Sequence, residues 1–282
     1  MDEKRHKILL VDNERGFIEP LKEFFEENNY QVLSAKNGAD GLEVVRNEVP
    51  FSVILSDQRM PEMMGIDFLK TVMKESPITS RILVTAFQDS QTVSESVNEA
   101  EVFAFIPKPV DLDALKRIVS SAVKEYEKKL QIRQSHKIIF MGQKAGLKNE
   151  TQVELSRKGY NLELVRNKDE YMEVINKNTP ISAIIVNSLN QESGGLASLE
   201  HFKKFFPNTI RVLLTKRSDL AEMKEAVNQT GVHKILIHPF EIYELEEILR
   251  SSLQKYDQSL GESLGKLHDL PVPLGFRSKE QI

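Results

Sequence analysis

The amino-acid sequence predicts two tandem α/β domains of doubly wound topology, each built on a central five-stranded parallel sheet. Three observations carry that prediction. Short apolar runs alternate five times in each half with segments of helical period, the rhythm of consecutive βαβ units. The runs are apolar at successive positions, as strands buried on both faces must be. The pattern also returns 130 residues later. His6-Lys7-Ile8-Leu9-Leu10-Val11-Asp12 comes back as His136-Lys137-Ile138-Ile139-Phe140-Met141-Gly142, and Arg81-Ile82-Leu83-Val84-Thr85 as Arg211-Val212-Leu213-Leu214-Thr215.

Taken in order, Lys7–Val11 is the first strand, and Phe17, Ile18, Leu21, Phe24 and Phe25 place one apolar stripe along the helix after it. Further strands are expected at Gln31–Ala35, Val53–Ser56, Ile82–Thr85 and Val102–Ile106, with a helix over about Ser90–Asn98 before the last. From Asp111, the series Leu115, Val119, Ala122, Tyr126, Leu130 predicts a closing helix reaching about Gln134. That is longer than one domain needs. It could form a rigid strut or a dimer seam, or simply be solvated beyond its first half. The second half predicts strands at Lys137–Met141, Leu162–Val165, Ala183–Val186, Ile210–Thr215 and His233–Ile237, then a helix through Leu245, Leu249, Ser252, Tyr256 and Leu260. The expected domains are residues 1–134 and 135–260, with 261–282 as a flexible tail in which Pro271 and Pro273 forbid helix. The tail's apolar residues either dock on a partner or remain a disordered terminus.

Composition bounds the function. The 282 residues suit two domains, and 40% hydrophobic with 28% charged residues is ordinary globular material. The lack of cysteine excludes disulfides and thiolate metal sites and fits a reducing compartment. The charged N-terminus, Met1-Asp2-Glu3-Lys4-Arg5-His6, leads straight into a strand, unlike a signal peptide, and no apolar run nears the roughly 18–20 residues of a membrane helix. A cytoplasmic chain with no membrane contact is expected. A net charge of −4 and a pI near 6.0 give no reason to expect a nucleic-acid surface. There is no G-x-x-x-x-G-K loop and no H-E-x-x-H, so no enzyme is expected. The repeat consumes nearly all the length, leaving too little for a DNA-binding module.

Ligands of doubly wound sheets bind outside the carboxyl ends of the strands. Asp12, Asp57, Thr85 and Lys108 each fall at or just beyond such an end. Singly they say little, since an acid after a strand is often a helix N-cap. Together they form a rim. Two carboxylates this close repel unless a hard cation sits between them, and Mg²⁺ suits the gap. A cation there would also neutralise a phosphoryl group, to which Lys108 offers a point charge and Thr85 a hydroxyl.

Residues 6–125 resemble the receiver domain of the bacterial two-component response regulator family. The resemblance is carried by Ile8-Leu9-Leu10-Val11-Asp12-Asn13-Glu14, Ser56-Asp57-Gln58-Arg59-Met60-Pro61 with Gly65, Val84-Thr85-Ala86, and Phe105-Ile106-Pro107-Lys108-Pro109. It implies a flavodoxin-like (βα)5 fold with Asp57 as the phosphoryl acceptor. Asp12 and Asn13 would be the acid-pair positions around Mg²⁺, with the backbone carbonyl of Arg59 as a further ligand. Thr85 would be the switch hydroxyl, Phe105 the aromatic that follows it inward, and Lys108 the cation on the phosphoryl group. It also makes Lys108–Pro109 a candidate cis peptide. A sensor histidine kinase would supply the phosphoryl group, and an unidentified protein would read the output, with a homodimer as one route. One position departs from the family: Asn13 is an amide and brings no charge, which should weaken the metal. Arg59 and Phe87 flank the acceptor and are expected to shield an acyl phosphate from water.

The second half resembles the same family in fold but not in chemistry, and is expected to be a pseudo-receiver. Gly142 and Gln143 hold the acid-pair positions, Asn187 the acceptor position and His238 the lysine position, leaving Thr215 and Gly195 of the rim. His238 either titrates or is structural. The expected function is a response regulator that signals through protein contacts. A constitutive interaction scaffold and a phosphorelay intermediate are the alternatives.

Overall fold

Strands β1 (Lys7–Val11), β2 (Gln31–Ala35), β3 (Val53–Asp57), β4 (Ser80–Thr85) and β5 (Ala104–Pro107) pair in the order β2-β1-β3-β4-β5. Every pairing is parallel. The structure is a computed structural model that describes residues 6–48, 50–86, 100–142, 147–166, 168–176, 180–188, 195–216 and 219–268. The helix expected near Ser90–Asn98, together with Phe87 and Gln143, lies outside the described residues.

The two-residue period of a strand sends Ile8 and Leu10 to one face and Leu9 and Val11 to the other. On the first face they meet Leu21 and Phe25 of α1 (Arg15–Glu27) and Leu115 and Val119 of the closing helix α4 (Leu112–Ser135). On the second they meet Leu42 and Val45 of α2 (Gly38–Glu48) and Phe68, Leu69 and Val72 of α3 (Gly65–Glu75). Each such side chain removed from water is worth about 1.5–3 kcal/mol. A one-residue slip of register would exchange the two faces, so the register is well specified. It pairs Val11 with Ser56, Asp57 with Val84 and Thr85 with Pro107. The carboxyl ends of four strands therefore finish level, and the residues at or just past them share one edge.

The Asp111 carboxylate caps α4 by accepting the Ala114 N–H at 2.9 Å. The far end of α4 is packed rather than merely solvated. Arg133 is buried, donates to the Lys158 carbonyl at 2.8 Å and lies 4.3 Å from the Tyr160 ring centroid. Residues 149–162 belong to the same compact unit as residues 1–136.

The second unit comprises residues 137–148 and 163–282. The second sheet comprises β6 (Lys137–Met141), β7 (Asn161–Val165), β8 (Ala183–Asn187), β9 (Ile210–Lys216) and β10 (Lys234–His238) in the order β7-β6-β8-β9-β10, the permutation of the first. Its core residues Ile139, Ile184, Leu199, Phe202 and Leu213 stand where the repeat puts Leu9, Ile54, Leu69, Val72 and Leu83. A short helix, Leu220–Glu225, runs into a π turn, Ala226–Thr230. The closing helix spans Ile242–His268 and so passes the expected end at Leu260. A glycine such as Gly261 costs only about 1 kcal/mol in a helix interior, which is too little to stop it. The prolines of the expected tail lie outside the described residues.

The halves share features that no strand pattern encodes. Arg81, almost wholly buried, donates to the carbonyls of Ala100 (2.9 Å), Thr79 (2.8 Å) and Glu101 (3.1 Å). Arg211 donates in the same way to Gly231 (3.0 Å) and Thr209 (2.9 Å). The Thr79 and Thr209 hydroxyls donate to the Phe51 and Ile181 carbonyls, each at 2.8 Å. Positive φ recurs at Asn29 and Gly159, and at Glu101 and Gly231. Both Lys108–Pro109 and His238–Pro239 are cis. Among the described residues no helix is long and apolar enough to cross a membrane.

Candidate functional site

Asp57 ends β3, and Asp12 follows β1 directly beside it. Both side chains are buried, at 8% and 3% exposure. Lys108, one residue past β5, reaches across with its Nζ 2.8 Å from Asp12 Oδ2 and 2.8 Å from Asp57 Oδ1. The other oxygens face backbone donors: Glu14 N–H donates to Asp12 Oδ1 at 2.8 Å, and Arg59 N–H to Asp57 Oδ2 at 2.6 Å. The Phe17 ring lies 4.1 Å from Lys108 Nζ, so the ammonium rests on an aromatic face as well.

The charges do not balance. Two buried carboxylates confront one ammonium. Burial pushes the Asp12 carboxyl above its ordinary value, and the hydrogen bonds from Lys108 and Glu14 N–H only partly oppose this. Burial alone would lower Lys108, but its bonds to Asp12 and Asp57 outweigh that cost and hold it above the usual lysine value. Such a rim attracts a further cation. Among the described residues no group of three or more His, Asp or Glu side chains gathers as a cation cage. The hard donors that Lys108 brings together are the two carboxylates, and Asn13 is exposed on the loop after Asp12.

The remaining site residues are placed less directly. Thr85 is buried at the end of β4, and its carbonyl accepts the Lys108 N–H at 2.8 Å. Phe105 is half-buried on β5 against the core that contains Leu83. Arg59 is exposed on the loop after Asp57. Two residues quoted in that loop's motif without a role, Gln58 and Gly65, acquire one here. The Gln58 Oε1 accepts the Ile66 N–H at 3.1 Å, which pins the start of α3. Gly65 lies so close that a Cβ there would stand 1.9 Å from the Asp57 carbonyl oxygen. A polar side chain directly after an acid that ends a strand was the available signal for Gln58.

The second rim is built on the same strand ends. Asn187 ends β8, His238 ends β10, and Gly142 is so close to Asn187 that a Cβ would lie 2.9 Å from that residue's own Cβ. His238 packs edge-on to Phe240, and its Nδ1 has no hydrogen-bond partner among the described residues. An acid absent from the sequence reading occupies this rim. Glu222 Oε2 accepts the Thr215 hydroxyl at 2.6 Å, and Ser188 donates to Oε1.

Comparison with known proteins follows the same division. Residues 8–120 match the response regulator receiver domain. The hydrogenase transcriptional regulatory protein HoxA of Cupriavidus necator is 36% identical over 123 residues, which are 44% of this chain and 25% of that protein. The sporulation initiation phosphotransferase F of Bacillus subtilis is 33% identical over 120 residues, 43% of this chain and 92% of that one. A solved CheY-like receiver domain protein from Methanospirillum hungatei is 29% identical, covers 44% of this chain and 98% of its own, and has a TM-score of 0.42. The chain spans about a quarter of the length of the transcriptional regulators it matches. Four strand-end residues around a buried acid pair and a matched segment that nearly spans a whole relative lead to one conclusion: through residues 8–120 this chain belongs to the response regulator receiver domain family.

Proposed function

We propose that the first domain accepts a phosphoryl group on Asp57 from a sensor histidine kinase and passes the change on through protein contacts. The carrying observation is Lys108 Nζ, 2.8 Å from the carboxylates of both Asp12 and Asp57. It marks the point where a transferred phosphoryl group would find its cation. A carboxylate oxygen of Asp57 attacks the phosphorus of a phosphohistidine. The P–N bond breaks with its electrons going to the imidazole, and Asp57 becomes a mixed anhydride. The residues fit Mg²⁺, with Asp12, Asp57, the Asn13 amide oxygen and the Arg59 carbonyl as its holders. Bound there, it supplies positive charge against the phosphoryl oxygens. Lys108 keeps its ammonium on the new group, and Arg59 shields it from water. The Thr85 hydroxyl turns toward it and Phe105 follows, a shift between two existing arrangements driven by local charge.

The second domain is proposed to be a pseudo-receiver. In support, it repeats the sheet permutation and the buried arginine while replacing Asp12, Asp57 and Lys108 with Gly142, Asn187 and His238. On this reading the chain is a cytoplasmic regulator with no catalytic activity beyond its own phosphorylation. A protein partner, with homodimerisation as one route, reads it rather than nucleic acid. A relay role, in which Asp57 hands its phosphoryl group to a histidine elsewhere, is the second reading. It is favoured by the likeness to a relative named as a phosphotransferase.

Incubation with acetyl phosphate and Mg²⁺ followed by intact-mass measurement tests the proposal. A single phosphoryl gain in the wild type that disappears in Asp57→Ala is expected. No gain in the wild type overturns it.

A further inference from the structure

The second rim has lost its acids but gained one. Glu222 stands where the repeat places Thr92 in the first half. Its carboxylate reaches back from the helix Leu220–Glu225 to the ends of two strands. Oε2 accepts the Thr215 hydroxyl at 2.6 Å, and Oε1 accepts the Ser188 hydroxyl. Thr215 is the counterpart of Thr85, the hydroxyl that turns to the phosphoryl group in the proposed switch. Ser188 follows Asn187, the counterpart of the acceptor. Two hydroxyls from adjacent strand ends thus converge on one anion, in charge-assisted bonds stronger than neutral ones.

We infer that Glu222 is a built-in substitute for a phosphoryl group. It permanently engages Thr215 and holds the segment Leu220–Thr230 against β9 in an arrangement that no phosphorylation controls. The inference rests on the reading of the second half as a pseudo-receiver. A tethered anion pays no association entropy, so two hydroxyl donors suffice where a free anion would need a metal and a lysine as well. Glu222 also closes the rim to other ligands, since an arriving phosphoryl oxygen would meet a like charge and a hydroxyl already engaged. The anchored segment is not loosely attached. Ala226 is fully buried in the same core as Leu213, and the Thr230 hydroxyl donates to the Ala226 carbonyl at 2.6 Å. A displacement of Glu222 would therefore shift a residue that packs against the sheet.

Hydrogen exchange on the full chain, resolved to peptides, tests this with Glu222→Ala, Glu222→Gln, Thr215→Val and the double variant Glu222→Ala/Thr215→Val. Exchange across residues 211–230 is expected to rise about tenfold in Glu222→Ala and to move the same way in Thr215→Val. The double variant should not exceed Glu222→Ala by a further multiple, because Thr215→Val removes a bond that Glu222→Ala has already removed. Glu222→Gln, which keeps an acceptor oxygen but not the charge, should fall between. If Glu222→Ala fails to fold, Glu222→Gln and Thr215→Val decide. Beryllofluoride, a phosphoryl mimic, should alter exchange in residues 6–135 and leave 211–230 untouched. Unchanged exchange in both Glu222 variants, multiplicative effects in the double variant, or a beryllofluoride response at 211–230 in the wild type would overturn the inference. Labelling of Asp57 in the same samples reports the acceptor separately, so failure of that reading leaves a distinct signature.

Discussion

The two rims stand on the same strand ends and differ in what fills them. In the first, Asp12 and Asp57 share Lys108, and burial pushes the Asp12 carboxyl above its ordinary value. In the second, those acids are gone and Glu222 from a neighbouring helix bonds the Thr215 hydroxyl. Beneath both, the same buried arginine and the same threonine tie the loops to the sheet. The difference teaches that the scaffold and the chemistry are separable. Apolar strands and buried backbone clamps determine where the rim lies, and a few side chains at its lip determine whether it carries an acid pair with a lysine or a glutamate bonded to hydroxyls.

The widest consequence is all-or-none. Asp57→Ala should abolish labelling by acetyl phosphate, whereas Asn187→Asp should add none, because Glu222 already holds the neighbouring hydroxyls. Peptide mapping of the labelled chain checks both, and a phosphoryl group on residue 187 would break the contrast between the rims. The clamps test the shared scaffold. Arg81→Met and Arg211→Met should each cost on the order of 3 kcal/mol in urea unfolding, since each strands buried carbonyls without a donor. A large cost in one half and none in the other would show that the scaffolds are less alike than their bonds suggest.

The unbalanced charge makes a finer prediction. A carboxyl whose folded pKa is raised holds its proton longer in the folded chain, so its contribution to stability falls as pH rises above 3.8 through the raised value. Asp12→Asn should remove that fall and leave the protein more stable near neutral pH than the wild type, as thermal unfolding across pH would reveal. Lys108 has the same direction in an alkaline window. Its raised pKa contributes stability that is present below 10.5 and lost as pH climbs through the folded value, and Lys108→Met should erase that alkaline loss. The smallest effect belongs to Asn13→Asp, which should lower the Mg²⁺ concentration needed for half-maximal phosphorylation severalfold by adding a charge to the ligand set. Identical titrations would remove Asn13 from the metal's surroundings.

Much of this was legible in the sequence. The strands announced themselves because each is a short apolar run, too brief for a buried helix and set between segments of helical period. Asp12, Asp57, Thr85 and Lys108 were legible as a group because parallel strands end level, so four strand-end residues must share an edge. Glu222 was not, because it reaches the rim from a helix and its direction depends on how that helix packs. The trace it left was an acid where the other half has Thr92, seven residues beyond Thr215. Arg81 and Arg211 were also hidden, since a charged residue near the start of a strand ordinarily reads as solvated. Their recurrence, each preceded by a Pro-x-Thr series at the same spacing, was the overlooked sign. The run of the closing helix Ile242–His268 past Gly261 was obscured for another reason: glycine weakens a helix without ending it.

Gly65 bears on how such domains are recognised. Its missing side chain lets α3 begin hard against the carbonyl of the acceptor, and the copy without an acceptor still begins its corresponding helix with Gly195. A glycine at this corner of strand and helix is thus common to both halves, whatever side chains stand at the strand ends. A search that leans on this glycine would gather both kinds of rim. Only the acids across the cleft tell the two apart.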